Sequence, residues 1–408
     1  MKNPVDYSEL ASISWDVIVV GGGPGGLIAA RQCAKKGLKT LCIDRRQEIG
    51  SPVRCGEGLG EVWMRFAELE YDPSWCVQEM RGAVIYGPKK AKMVIPTANK
   101  GYVVERKIME KKIAYQAIKA GAKLMLKAQV YDVIKEKGKV SGVRVESNNG
   151  YFDIHAKLVI AADGVDSQTA RYAGVSTFNP VSEVDAGYEY EMTNCYFDHP
   201  DKIHIFVGNE IAPRGYVWIF PKSKDTANVG IGITGASDKN AKHYLDKWIA
   251  SKPEIFKDAS IVDIKGGCCP VGAPLKQLAY DGLMIVGDAG HMINAIHGGG
   301  MGTSMEAAML AADVAEKAVK ENKFDAAFLN KHYTDAWYEK RGNQLLNVLK
   351  VRHFFEKLTD DQMESLADIF TPETLLEFSD GKKLQVFAKA FAKQPKLMLL
   401  AAKTLLVG

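Results

Sequence analysis

A chain of 408 residues, 47% of them apolar and 25% charged, is a globular protein long enough for two or three domains. Its net charge of +4 is too small at this length to argue for nucleic acid, and its seven cysteines, with no C-x-x-C pair, make neither a disulfide framework nor a zinc site. No apolar run approaches the ~20 residues of a membrane span, and none precedes the first strand as a secretory signal requires, so a cytoplasmic protein without a metal is expected.

Residues 1–14 read as a poorly ordered lead-in. Trp15 to Val20 reads as a strand and Leu27 to Lys36 as a helix, and between them Gly21, Gly23 and Gly26 stand at G-x-G-x-x-G spacing. Gly21 permits the tight turn, Gly23 lets the backbone approach a pyrophosphate, and Gly26 lets helix and strand pack closely. The next strand, Lys39 to Ile43, ends in Asp44, 18 residues past Gly26, where a ribose-binding acid belongs. Free amides and the positive dipole end at the helix start complete a dinucleotide site.

Gly50 to Gly60, GSPVRCGEGLG, is too poor in large apolar residues for a core element and reads as a loop near the ligand. Arg54 suits a phosphate or carboxylate. Cys55, followed by Gly56 and Gly58, leaves room for a planar ring, the alternative being an ordinary buried thiol. Glu57 reads as a solvated carboxylate. Met80 to Ile95 alternates as short strands of an inserted sheet. A helix from Glu105 to Ala120 opens on Arg106, and a cation there is unfavourable unless an anion lies close. A bound phosphate or cofactor oxygen supplies one explanation, a surface arginine the other. Strands at Lys123–Tyr131, Val140–Glu146 and Tyr151–Ile154 form a meander turned by Asn148-Asn149-Gly150.

Leu158 to Gly164 reads as another buried strand, ending in Asp163-Gly164, a pair that a sharp turn alone explains. Alternation at Gly187–Met192, Lys202–Val207, Gly215–Phe220 and Ala227–Ile233 predicts a second antiparallel sheet with one face free to cover a site. Tyr216, Trp218 and Phe220 share one face there, which suits a long hydrocarbon unless they pack on their own core. Leu283 to Val286 then runs into Gly287-Asp288-Ala289-Gly290-His291, the glycines Gly298 to Gly300, and a helix from Thr303 to Val319. Asp288 suits a ribose hydroxyl, and the amides near Gly299, Gly300 and Met301 suit negative charge on a ring. His291 and His297, six apart, read as structural. The remainder, 336–408, reads as helices. The last, Lys382 to Val407, interleaves lysines with Phe387, Phe391, Leu397, Met398, Leu399 and Leu400 and is broken by Pro395. It fits either an anionic membrane surface or its own protein.

VVGGGPGG, AADG and GDAGH, in this order over residues 15 to about 320, resemble the flavin-dependent fold of the p-hydroxybenzoate hydroxylase type. The resemblance implies an α/β architecture with three parts. These are a Rossmann-like FAD-binding domain (1–80, 101–175 and 275–335), an antiparallel-sheet substrate domain (81–100 and 176–274) and a C-terminal helical region (336–408). It implies that FAD meets Gly25, Asp44, Arg106, Asp288, Gly300 and Met301, that Val130 meets adenine through its backbone, and that Asp163 is structural near the pyrophosphate.

PRGYVWIFP, Pro213 to Pro221, and CGEG, Cys55 to Gly58, resemble the geranylgeranyl reductase family, most of all its archaeal digeranylgeranylglycerophospholipid reductases. In that family the cysteine lies beside the flavin ring. What this implies is an FAD-dependent reductase of archaeal membrane-lipid biosynthesis, saturating the isoprenoid double bonds of geranylgeranylated glycerophospholipids by hydride transfer from reduced flavin plus a proton. Cys55 is the leading candidate for the proton, with Glu57, a water and the flavin as rivals. NADPH or a ferredoxin-like carrier would bring the electrons, and no second G-x-G-x-x-G reads as a nicotinamide site. Peripheral contact with the inner membrane face is expected from the substrate class. Two other readings stand beside this one. A flavin-dependent aromatic hydroxylase is opposed by the aromatic strand and Cys55, and a non-catalytic prenyl-lipid carrier by the intact glycine sites.

Overall fold

The computed structural model describes residues 7–382, 391 and 395–406. Two eight-stranded sheets organise them. The first holds β1 (Trp15–Val20), β2 (Thr40–Asp44), β6 (Lys123–Leu126), β7 (Ala128–Glu136), β8 (Lys139–Ser147), β9 (Gly150–Ala161), β15 (Ala279–Tyr280) and β16 (Leu283–Ile285). Its order is β15–β16–β9–β1–β2–β6, parallel from β16 to β6, with β7 and β8 as an antiparallel ribbon beside β9. Val17, Ile18 and Val19 are fully buried, as a parallel strand covered on both faces requires. The helix Pro24–Lys35 lies against the helix Met301–Glu321, and their small residues, among them Ala29, Ala30, Ala307, Ala308 and Ala311, let the two backbones approach.

The second sheet holds β3 (Gly58–Gly60), β4 (Cys76–Tyr86), β5 (Lys92–Val104), β10 (Val184–Thr193), β11 (Ile203–Val207), β12 (Tyr216–Pro221), β13 (Ala227–Thr234) and β14 (Ser260–Pro270). Its order is β14–β10–β13–β12–β11–β4–β5–β3. One face carries Tyr190, Met192, Val217, Ile219, Val229 and Ile231 into a core closed by Leu245 and Trp248 of the helix Ala241–Ala250. The alternate residues of the same strands point the other way, toward the glycine turns of the first sheet.

Several elements differ from expectation. The lead-in is packed rather than loose over residues 7–13: Tyr7 Oη donates to the Leu126 carbonyl at 3.0 Å, and Leu10 and Ile13 join the core under the first sheet. The strands expected at Tyr151–Ile154 and Leu158–Gly164 are one strand, β9, half in the ribbon and half in the parallel core. Its change from alternating to continuous burial is what split the reading. The helix Asn343–Phe355 is fixed to the second sheet by Arg352, which pairs with Asp185 at 2.9 Å and donates to the Ala295 carbonyl. Of the expected last helix, residues 383–390, 392–394 and 407, Phe387 included, lie outside the described residues. The described part, Pro395–Ala401, begins at the proline, buries Leu397 and exposes Met398 and Leu399. No helix among the described residues is long and apolar enough to cross a membrane.

Candidate active site

The first glycine corner has the geometry its spacing requires. Gly21 has φ +105°, and a Cβ there or on Gly26 would run into backbone carbonyls. A Cβ on Gly25 would stand 3.2 Å from Ser304 and from Val286. Gly23 differs: it caps the helix Pro24–Lys35, and a Cβ on it would meet nothing within 4 Å. That open cradle at a helix N-terminus fits a pyrophosphate. Asp44 ends β2, but its oxygens already accept from the Gly22 amide (2.6 Å), the Arg46 amide (2.6 Å) and the Arg46 guanidinium (2.9 Å). A ribose hydroxyl reaching Asp44 meets a carboxylate that already carries these donors. Val130 lies in the β7–β8 ribbon opposite Val145, beside a bulge.

Asp163 Oδ2 takes the Thr169 amide at 2.8 Å while its Oδ1 is buried without a partner, and burial raises this carboxyl's pKa. At the second glycine turn Gly300 caps the helix Met301–Glu321, which starts two residues earlier than expected. The amide of Gly299 is spent on His297 Nδ1 at 3.1 Å, which leaves Gly300 and Met301 for a ligand. Burial raises the Asp288 carboxyl, and the Arg106 guanidinium pulls against it. His291 is structural as expected, its ring nitrogens 3.2 Å from the Ala273 carbonyl and 3.1 Å from that of Thr177. An orphaned acid oxygen, a bare glycine cradle and two helix starts facing one region fit a flavin dinucleotide.

The CGEG loop closes over the second sheet. A Cβ on Gly56 would stand 3.2 Å from Trp218 Nε1 and 3.2 Å from the Phe220 ring, and one on Gly58 would stand 3.1 Å from Phe220. Glycine at both positions is what lets the loop touch the aromatic strand. Val217 and Ile219 face the core and are fully buried, so Tyr216, Trp218 and Phe220 do not pack on their own core but face the site. Tyr216 Oη donates to the His297 carbonyl at 2.7 Å, tying this strand to the second glycine turn. Cross-strand pairing sets Tyr216, Gly232, Gly187 and Gly267 in one row, and Trp218, Gly230, Glu189 and Lys265 in the next. The glycine row is a trough floored by backbone: a Cβ on Gly187 would meet only carbonyl oxygens, at 3.5 and 3.9 Å. Arg54, expected near phosphates, is exposed and lies over Gly267 at the far end of this row.

Glu57 overturns its reading as a solvated carboxylate. Its side chain is 1% exposed and its φ is +69°. Oε1 accepts the Arg106 amide at 2.8 Å, and Oε2 accepts from Asn228 and from Lys265, each at 2.9 Å. The acid that compensates the start of the Arg106 helix is thus Glu57, and the Arg106 guanidinium pairs with buried Glu110. Cys55 Sγ accepts the Glu57 amide at 3.3 Å, and burial raises the thiol's pKa while Arg106 lowers it. The thiol therefore keeps its proton at neutral pH. Arg106 acts on both Cys55 and Asp288, which places loop, helix start and second glycine turn around one space.

Comparison with known proteins agrees with this geometry. An FAD-binding domain matches residues 16–100, and a geranylgeranyl reductase catalytic domain matches residues 183–269, the segment that contains the aromatic and glycine rows. A digeranylgeranylglycerophospholipid reductase of Methanocaldococcus jannaschii is 40% identical over 389 residues, covering 94% of this chain and 96% of its own. One of Thermoplasma acidophilum is 38% identical over 397 residues, covering 94% and 98%. The crystal structure of a geranylgeranyl bacteriochlorophyll reductase-like protein from Thermoplasma acidophilum superposes with a TM-score of 0.87 at 36% identity, covering 95% of this chain and 98% of that one. A flavin-dependent brominase, at 20% identity and a TM-score of 0.73, shares the fold alone. Fold and site together define an FAD-dependent oxidoreductase. Within that class the chain belongs to the geranylgeranyl reductase family, on the branch of the digeranylgeranylglycerophospholipid reductases.

Proposed function

We propose that this protein saturates the isoprenoid double bonds of geranylgeranylated glycerophospholipids, the substrate class its relatives are named for. One observation carries the reading: the CGEG loop, with Cys55, closes on a sheet face of three aromatics and a row of bare glycines. When bound, FAD in its reduced form supplies the hydride. The first glycine corner and the amides of Gly300 and Met301 hold its phosphates and ring, and Asp288 takes a ribose hydroxyl. Tyr216, Trp218 and Phe220 exclude water from the chain laid along the glycine row. Arg54 at the end of that row meets the lipid phosphate.

An isolated alkene has no carbonyl to activate it, so alignment and a held proton matter most. The Cys55 thiol holds that proton, and the Arg106 guanidinium beside it stabilises the thiolate left behind. NADPH or a ferredoxin-like carrier brings the electrons. Peripheral contact with the inner membrane face delivers the substrate, supported by exposed Met398 and Leu399 next to exposed Lys403.

The test is anaerobic. The purified protein is reduced with dithionite, mixed with a geranylgeranylated glycerophospholipid, and the lipid is weighed by mass spectrometry. A gain of two hydrogens per double bond with return of the oxidised flavin spectrum supports the reductase. A flavin that reduces but leaves the lipid unchanged overturns it, as does a protein that binds lipid and takes up no FAD.

A further inference from the structure

Beneath the CGEG loop lies an ionic cluster that the reaction as described does not use. Glu57, Glu189, Glu191 and Glu105 supply carboxyl groups, and Lys222 and Lys265 supply ammonium groups. Lys265 Nζ is 2.9 Å from Glu57 Oε2, 3.3 Å from Glu189 Oε1 and 3.7 Å from Glu191 Oε2. Lys222 Nζ is 2.9 Å from Glu191 and also pairs with Glu105. The side chains of Glu57, Glu189, Lys222 and Lys265 are at most 6% exposed, whereas Glu191 is 21% and Glu105 33% exposed. The cluster therefore runs from a closed end at Glu189 to a wet end at Glu105.

Four carboxyl groups face two ammonium groups; the Arg106 guanidinium is engaged by Glu110, and exposed Arg54 lies one row away over Gly267. A buried cluster with excess acid holds a proton at the member whose charge is least satisfied by directed hydrogen bonds. That member is Glu189. Its Oε2 accepts the Trp218 indole N–H at 2.8 Å, and its Oε1 lacks a directed hydrogen bond although Lys265 lies 3.3 Å away. Burial pushes this carboxyl up to about 7, against the pull of Lys265 and Trp218 and with the help of Glu57. Trp218 Nε1 in turn lies under Gly56, one residue from Cys55, and the Glu189 charge acts on the Cys55 thiol.

We propose that Glu189 stores the proton consumed in each reduction, and that Lys265, Glu191, Lys222 and Glu105 connect it to solvent. The proposal rests on the reductase reading. Saturating one double bond adds a hydride, with its two electrons, to one carbon and a proton to the other. The proton leaves the S–H of Cys55. The O–H bond of Glu189 then breaks as the S–H bond is remade by way of a water, since the Trp218 N–H between them can only donate, and Glu189 remains as a carboxylate beside the Lys265 ammonium. Water at the Glu105 end returns the proton through the cluster. Glu189 acts through Cys55 and is a positioning and storage residue.

Infrared difference spectra of the FAD-loaded protein without lipid, taken between pH 5.5 and 8.5, read the proton directly. The wild type loses one protonated-carboxyl band as pH rises through about 7, and Glu189→Gln lacks that band. In turnover, kcat of the wild type falls above the same pH because the store is empty there. Glu189→Gln keeps the hydrogen bond from Trp218, leaves KM for the lipid unchanged, loses that pH limb and runs roughly 100-fold slower. Glu189→Asp restores the band at a shifted pH and the limb with it, and serves also if the glutamine variant does not fold. A band that survives in Glu189→Gln, or an unaltered pH limb in that variant, overturns the proposal. A wild type that turns over no lipid at any pH defeats the reductase reading instead, while the band still decides whether Glu189 holds a proton.

Discussion

The two ends of the site are made of different material. The nucleotide end is backbone: bare glycines at Gly21, Gly23, Gly26 and Gly300, helix starts, and carbonyls too close for a Cβ. The end at the CGEG loop is charge: Glu57, Lys265 and Glu189, taken from three distant segments and buried together. Backbone can be placed by a short motif. Charge can be buried only when partners from elsewhere in the chain arrive, so this end depends on the whole fold and carries more risk for stability.

Substitutions sharpen that contrast. At the nucleotide end the largest effect is expected from Gly26→Ala, whose Cβ would run into the Gly21 carbonyl; it loses both FAD and the fold, read by flavin absorbance and melting. Gly23→Ala meets nothing within 4 Å, so it loses FAD and keeps the melting temperature of the FAD-free wild type. Equal melting losses in the two variants would break the distinction. At the charged end, Lys265→Met strands Glu57 and Glu189 and costs about 3–5 kcal/mol, measured by denaturant midpoint. Cys55→Ala leaves FAD bound and lowers alkene reduction by roughly 100-fold; unchanged turnover removes Cys55 from the chemistry.

The smallest effect is a pH dependence. Glu189 is raised from 4.5 to about 7, so between these values the folded protein binds one more proton than the unfolded. This contribution to stability is full below pH 4.5 and is lost as pH rises through about 7, by on the order of 3 kcal/mol. Melting curves of Glu189→Gln lack that decline.

The same contrast explains what was legible in the sequence. Gly21, Gly23 and Gly26, the acid at the end of β2 and the aromatic alternation of β12 have local periods and spacings, and the structure places each as its spacing implies. Lys265, which holds Glu57 from 208 positions away, leaves no such signature, because its partner is set by folding. Glu189 and Glu191 alternate with Tyr188 and Tyr190 on β10, a pattern that ordinarily marks a solvent face. Only the closure of the CGEG loop over that face turns it inward. Glu57 departs from its expected solvated state for the same reason: its neighbours are glycines, and nothing local announces a carboxylate that caps a helix 49 positions away.

The proposed path of the isoprenoid chain runs along the glycine row between Tyr216 and Gly267. Gly187→Val tests it most directly, since a Cβ there meets only ordinary contacts and the fold has room for it. Wild type and variant, matched for flavin content, are reduced anaerobically and given the same geranylgeranylated glycerophospholipid, and hydrogen gain is followed by mass spectrometry. Flavin reduction is expected to be equal, with the lipid given to the variant staying largely unsaturated. Equal hydrogen gain in both proteins would contradict it.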